Sequence, residues 1–307
     1  MRRLLVVTLL ALGLGLAQPF TVQDARGQTV AVRSIERIVS LNGVTTEILF
    51  ALGVGDKVVG RDTSSYYPAA ANRLPTVGYQ FQLNAEGILA LKPTLVLGRE
   101  DAKPPQVFDQ LAAAGVTVVR VPDKPSLEGA KEKIRTIAAA VGQVERGEAL
   151  VRALERDLLV LRSKQRQATV QKNLKGLFLY LRGTQATFVC GEGSNPVGMM
   201  ALAGIANAAK GIKDCQQMTA EAVVAARPDV IVVFTKGLQS VGGLEGLRKL
   251  PGVMQTPAGQ AGRVVAIDDL YLGGFGPRAG RAALELFIGA YERQGLYIAG
   301  EPQEPQQ

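Results

Sequence analysis

Short, continuously apolar runs alternate with amphipathic ones from residue 36 to residue 122: RIVSL, TTEILFALG, KVVG, AEGILALK, PTLVLG, FDQLAAAG and VTVVRVP. A strand that is apolar at every position, not at every second one, is covered on both faces. Its alternation with helices is the grammar of a mostly parallel sheet. From residue 174 the same grammar restarts with LKGLFLYL, PVGMMALAG, TAEAVVAAR, PDVIVVF, LRKLPG and RVVAID. The pattern predicts an α/β protein of two similar Rossmann-like lobes, over 18–140 and 169–295, with a disordered tail over 296–307.

Between them, residues 141–168 carry Leu150, Val151, Leu154, Leu158 and Leu161 on one face at helical spacing. A helix of about 24 residues spans about 36 Å, enough for a strut between two lobes. No Gly-Ser or proline tract intervenes, so the connection is stiff and closing limited.

One stretch is written twice. GYQFQLNAEGILALKPTLVLG, residues 78–98, is echoed by CQQMTAEAVVAARPDVIVVF, residues 215–234. In each, a small polar residue (Asn84, Thr219) precedes Ala-Glu and a short apolar helix. Lys-Pro or Arg-Pro closes that helix, and an apolar strand follows. The match extends to EILFALGVGDKVVG opposite GMMALAGIANAAKG, so a whole lobe is repeated. Asn84 and Thr219 are good N-caps, which puts Glu86 and Glu221 in first helical turns. On chemistry alone these acids complement a helix dipole, worth a few tenths to about 1 kcal/mol.

Residues 1–17, MRRLLVVTLLALGLGLA, join a basic start to an apolar run and a small-residue end, the pattern of a cleaved signal peptide. No cysteine follows directly to take a lipid, so a soluble periplasmic or otherwise extracytoplasmic protein is expected. The net charge of +8 is spread among acids without a basic tract, which argues for solubility and against nucleic-acid binding. Two cysteines, Cys190 and Cys215, permit one disulfide in an oxidising compartment, with free thiols as the alternative. The chain has no histidine. A zinc, copper or manganese carrier, a hydrolase with a histidine base and a His-ligated haem protein all lose their usual key residue.

Three further stretches bear on function. SLNGVTTEILFALG lies at 40–53, DTSSYYPAAANRLPTVGYQFQLNAEGILALKPTLVL at 62–97 and GGFGPRAGRAALEL at 273–286. With TAEAVVAARPDVIVV at 219–233 they resemble the periplasmic substrate-binding proteins of ABC importers that carry haem, cobalamin and ferric siderophores. The Tyr-Pro-Ala-Ala, Val-Gly-Tyr and Phe-Gly-Pro-Arg runs are most similar to the haem-binding members. The resemblance implies a monomer with a long bridging helix and no catalysis, capturing haem as transported ligand in a cleft. It also implies that Glu86 and Glu221 dock onto arginines of a two-fold permease dimer.

Tyr79 falls in a loop before the first repeated helix, beyond the carboxyl end of a strand, where open α/β sheets bind ligands. A half-buried structural ring explains it equally from sequence. Phenolate is a hard ligand suited to ferric iron, and without histidine Tyr79 is the candidate for the haem metal. Arg278 matches an arginine lining the family's cleft, poised for the phenolate or a propionate. Arg61, Ser64, Ser65 and Tyr67 in RDTSSYY suit carboxylates, as does a plain polar loop. Cys215 stands where haem-binding relatives often carry a second tyrosine; it is either an iron thiolate or the partner of Cys190. The rivals are the same fold carrying cobalamin or a ferric siderophore, and a secreted hydrolase, which would need a concentrated acid-base constellation.

Overall fold

The computed structural model of the chain describes residues 20–168 and 174–299. The leader expected over 1–17 and residues 300–307 of the expected tail lie outside them.

Four parallel strands, β1 (Ile38–Ser40), β2 (Val58–Arg61), β3 (Leu95–Arg99) and β4 (Thr117–Val121), form the N-terminal sheet in the order β2-β1-β3-β4. Ile38, Val39, Leu95, Val96 and Leu97 have no exposed surface, as strands covered on both faces require. Two of the helices between them start on side-chain caps. Asn42 accepts hydrogen bonds from the Val44 and Thr45 amides at the head of α1 (Gly43–Ala51), and Asn84 accepts from Glu86 at the head of α2 (Ala85–Leu89). Helix α3 (Leu127–Ala140) follows β4, capped by the Ser126 hydroxyl.

The expected connecting helix is α4 (Val144–Gln167), 24 residues long. Val151, Leu154, Leu158 and Leu161 are buried, and Leu150 packs at the edge of the same cluster.

The C-terminal sheet contains β5 (Lys175–Arg182), β6 (Ala186–Cys190), β7 (Cys215–Gln217), β8 (Val230–Phe234), β9 (Val264–Ile267) and β10 (Leu296–Ala299) in the order β7-β6-β5-β8-β9-β10. A two-residue strand, Ala206–Asn207, pairs with the start of β5. The sheet is parallel from β5 to β10, whereas β6 runs antiparallel to both of its neighbours. Helix α5 (Ala220–Ala226) carries the second copy of the repeat, its N-cap Thr219 accepting from the Ala222 amide at 3.1 Å. Both copies close alike: Lys92 (φ +47°) and Arg227 (φ +43°) are left-handed residues directly before Pro93 and Pro228. A proline cannot continue the helix, so each chain turns out into its strand. Helix α6 (Ala279–Phe287) completes the C-terminal half.

One expectation is corrected. Residues 296–299 are not tail but the edge strand β10, paired in parallel with β9 from Leu296↔Val264 to Ala299↔Ile267. Helix α4 packs against α3 on one side and α6 on the other, and its buried face belongs to one hydrophobic cluster that draws on both sheets. A connection that shares its core with both halves resists bending, because opening it would expose apolar area at about 25 cal/mol per Å².

Cys190 and Cys215 form a disulfide between directly opposed residues of β6 and β7. The bond ties the edge strand that leads into α5. Reduction is expected to lower stability by about 3 kcal/mol, the scale for closing a loop of this size. The check is the melting temperature with and without reductant, where equal values would contradict it.

Candidate functional site

The carboxyl ends of both sheets face one cavity of about 1050 Å³, at the upper end of the range of roughly 300–1,000 Å³ usual for small-molecule sites. The N-terminal half contributes Asn42, Ser64, Tyr79, Phe81 and Arg99, among others; the C-terminal half contributes Phe178, Tyr180, Phe188, Phe234 and the disulfide.

Tyr79 sits on a short hairpin, Gly78–Tyr79 paired with Gln82–Leu83. Gly78 turns the chain at φ +100°, a conformation that favours glycine. The hairpin is pinned at its base: Gln80 accepts from the Asn42 amide side chain at 3.0 Å, and the Lys103 amide donates to the Gln80 carbonyl at 2.9 Å. The ring stands edge-on to Phe81 at 5.4 Å and stays 38% exposed, so its hydroxyl is reachable from the cavity.

Opposite it stands a residue that sequence reading passed over. Tyr180 lies on β5 inside the apolar run LKGLFLYL, packed against Phe234 at 6.0 Å and Phe188 at 6.2 Å. Two residues on, on the same face of the strand, Arg182 donates from Nε to the Tyr180 hydroxyl. Burial pushes the Tyr79 phenol above its ordinary range and nearby Tyr180 adds to this, while Arg182 and Arg99 pull the other way. Both phenols therefore look into one aromatic chamber, each with a guanidinium close by. The period-2 signal Tyr-x-Arg at a strand's end was the clue available in the sequence.

The remaining predicted residues divide. Ser64 lines the cavity, but its hydroxyl is engaged, donating to Asp62 Oδ2 at 2.7 Å and accepting from the Gly43 amide at 3.1 Å. Ser65 is buried behind it, donating to Asp62 Oδ1 at 2.6 Å and accepting from Thr46 at 2.7 Å. Arg61 does not line the cavity and donates to the Asp62 carbonyl at 3.3 Å. Asp62 is thus the hub of a self-contained loop, and burial raises its carboxyl despite the two serine hydroxyls.

Arg278 is placed differently from expectation. It does not line the cavity but holds Glu47 of α1 in a two-pronged ion pair, Nε to Oε1 at 2.6 Å and Nη2 to Oε2 at 3.0 Å. Its guanidinium is sandwiched 3.9 Å from the Tyr67 ring centroid and 4.8 Å from that of Tyr271, so Tyr67 too is structural here. The cause is local: a carboxylate in a buried helix needs a partner, and Phe-Gly-Pro-Arg folds back to supply it. Gly274 permits that approach, since a Cβ there would lie 2.6 Å from Val44 of α1 and 2.4 Å from the Leu270 carbonyl. Nearby, Lys133 of α3 donates to the Gly274 carbonyl at 2.9 Å and to Asp123, and burial lowers its ammonium against the pull of that acid.

Cys215 lines the cavity as half of the disulfide, which removes the thiolate reading for it. Glu86 and Glu221 both lie exposed in first helical turns, away from the cavity and in no ion pair among the described residues.

The chain is similar to the periplasmic heme-binding protein RhuT of Roseiflexus sp. RS-1 in apo form, at 48% identity and a TM-score of 0.80 over 84% of this chain and 98% of that one. It is similar to the periplasmic heme-binding protein BhuT solved in complex with two hemes, at 37% identity and a TM-score of 0.78 over 83% and 98%. An uncharacterized ABC transporter substrate-binding lipoprotein, YvrC of Bacillus subtilis strain 168, is 31% identical over 276 residues, 89% of this chain and 86% of its own. The family model for periplasmic binding proteins matches residues 38–271, from the first strand of the N-terminal sheet to the short helix Asp269–Gly273 after β9. The chain belongs to the periplasmic binding protein family.

Proposed function

We propose that this protein captures ferric haem in the cavity between its two halves and delivers it, outside the cytoplasm, to the permease of an ABC importer. The observation that carries the reading is the pair of phenols, Tyr79 and Tyr180, entering one aromatic chamber from opposite halves of a histidine-free chain. Phenolate is a hard oxygen donor matched to ferric iron. The two rings have different tasks. Arg182 already donates to the Tyr180 oxygen, so that phenol is held in place by a fixed partner. Tyr79 is held protonated by burial, so binding iron displaces its proton and leaves the metal to stabilise the anion. Phe81, Phe178, Phe188 and Phe234 supply apolar wall for a porphyrin face, and area burial provides most of the affinity. The similarity to heme-binding structures supports the same ligand.

Glu86 and Glu221 serve the other step. They sit on matched helices of the two halves, and a carboxylate on each suits a permease that is itself two-fold. Glu86→Ala and Glu221→Ala are expected to leave haem binding unchanged while reducing haem-dependent stimulation of the importer's ATPase severalfold, more in the double variant. Wild-type stimulation by the double variant would refute the docking role.

Titration of the purified protein with ferric haem, cobalamin and a ferric siderophore tests the ligand. Saturable binding of haem with a phenolate-to-iron charge-transfer band is expected. Tight binding of cobalamin or siderophore in its place would overturn the assignment.

A further inference from the structure

Three cationic side chains line the cavity: Arg99, Arg182 and Lys236. Two are committed. Arg99 is neutralised by Asp101 at 2.7 Å and Asp123 at 2.9 Å, and Arg182 is hydrogen-bonded to Tyr180. Lys236 enters no ion pair among the described residues; its Nζ rests 3.5 Å from the ring centroid of Tyr66, which belongs to the opposite half. That ring is fixed across the cleft, donating to Asp268 Oδ2 at 3.0 Å and accepting from the Leu270 amide at 2.9 Å. Burial and Asp268 push the Tyr66 phenol far up, so it stays neutral and brings no charge to the ammonium; the acid beside Lys236 is Asp269.

Strand register explains why these groups meet. In β5, β8 and β9 the pairs Leu179↔Val233 and Phe234↔Ile267 are in step, which puts Tyr180, Phe234 and Ile267 in one row at the carboxyl ends. Two residues further along, where β8 and β9 have already given way to the short helices Thr235–Ser240 and Asp269–Gly273, Lys236 and Asp269 join Arg182 of β5 at the cavity. Asp269 has a buried Oδ1 without a hydrogen-bond partner.

From this we infer that Lys236 anchors a carboxylate of the ligand, a porphyrin propionate, at the cleft rim, while the neighbouring Asp269 carboxylate opposes it. The inference rests on the haem reading above and adds to it the residue that recognises the acid side chains. A planar tetrapyrrole between the two phenols must direct its edge somewhere, and the uncommitted cation of the lining marks where a negative edge is stabilised.

The test titrates ferric haem and its dimethyl ester, which lacks the carboxylate charges, against wild type, Lys236→Met, Lys236→Arg and Asp269→Asn. Lys236→Met is expected to weaken haem about fivefold, the scale of a partly exposed ion pair, and to leave the ester within about twofold. Lys236→Arg retains haem affinity, and Asp269→Asn strengthens haem about twofold without moving the ester. An equal loss for both porphyrins, or none for either, in Lys236→Met overturns the anchor while the charge-transfer band persists. If wild type shows that band with neither porphyrin, the haem reading fails and the anchor fails with it.

Discussion

Tyr180→Phe is expected to weaken ferric-haem binding at least on the order of 100-fold, the upper scale for losing even an outer-shell partner of a metal ligand. Tyr79→Phe should do the same. The two losses come from opposite halves and differ in kind. Tyr180 has Arg182 donating to its oxygen, so Arg182→Ala imitates part of the Tyr180→Phe defect and shifts the charge-transfer band without abolishing it. Tyr79 has no side-chain hydrogen bond among the described residues, so in the proposed complex iron alone would displace its proton. The double variant tests cooperation between the halves: a combined loss smaller than the sum of the single ones shows that the rings act on the same metal. Equilibrium titration by absorbance checks all four variants, and a wild-type Kd in either single phenylalanine variant would remove that ring from the coordination sphere.

The second large effect concerns stability. Arg278→Ala leaves Glu47 buried on α1 without a partner and parts the Tyr67 and Tyr271 rings, at an expected cost of about 3 kcal/mol. A substitution that removes both charges, Glu47→Met with Arg278→Met, should recover much of this, because a buried pair replaced by packed apolar volume is often close to neutral. Chemical denaturation gives both numbers. The folded fraction of Arg278→Ala should bind haem as wild type does. A large loss of haem affinity at unchanged stability would restore Arg278 to the ligand site.

The contrast between Arg278 and Tyr180 marks where the sequence was legible. Alternation of apolar runs is a local property, so β1 to β4 and the strands β5, β8 and β9 of the second sheet were readable, as were the capped helices of Glu86 and Glu221. The long helix was readable for the same reason, since Val151, Leu154, Leu158 and Leu161 report one face. The partner of Arg278 is 231 positions away, and nothing local to Phe-Gly-Pro-Arg announces Glu47. Its only trace was a carboxylate inside the apolar helix TTEILFALG. Tyr180 was hidden by composition, because an aromatic in LKGLFLYL reads as ordinary strand packing. The repeat also misdirected: it set Cys215 opposite Tyr79, whereas the second phenol arises from β5, two strands away, and Cys215 is spent on the disulfide. Leu296–Ala299 was read as tail because its pairing with β9 lies outside the repeated unit.

The most direct test of the central claim is the absorption spectrum of the histidine-free wild-type chain after one equivalent of ferric haem. Coordination by Tyr79 and Tyr180 predicts a high-spin ferric spectrum with a phenolate-to-iron charge-transfer band that weakens in each single phenylalanine variant and vanishes in the double variant. A spectrum identical to free haem, or a band that survives in the double variant, would contradict it.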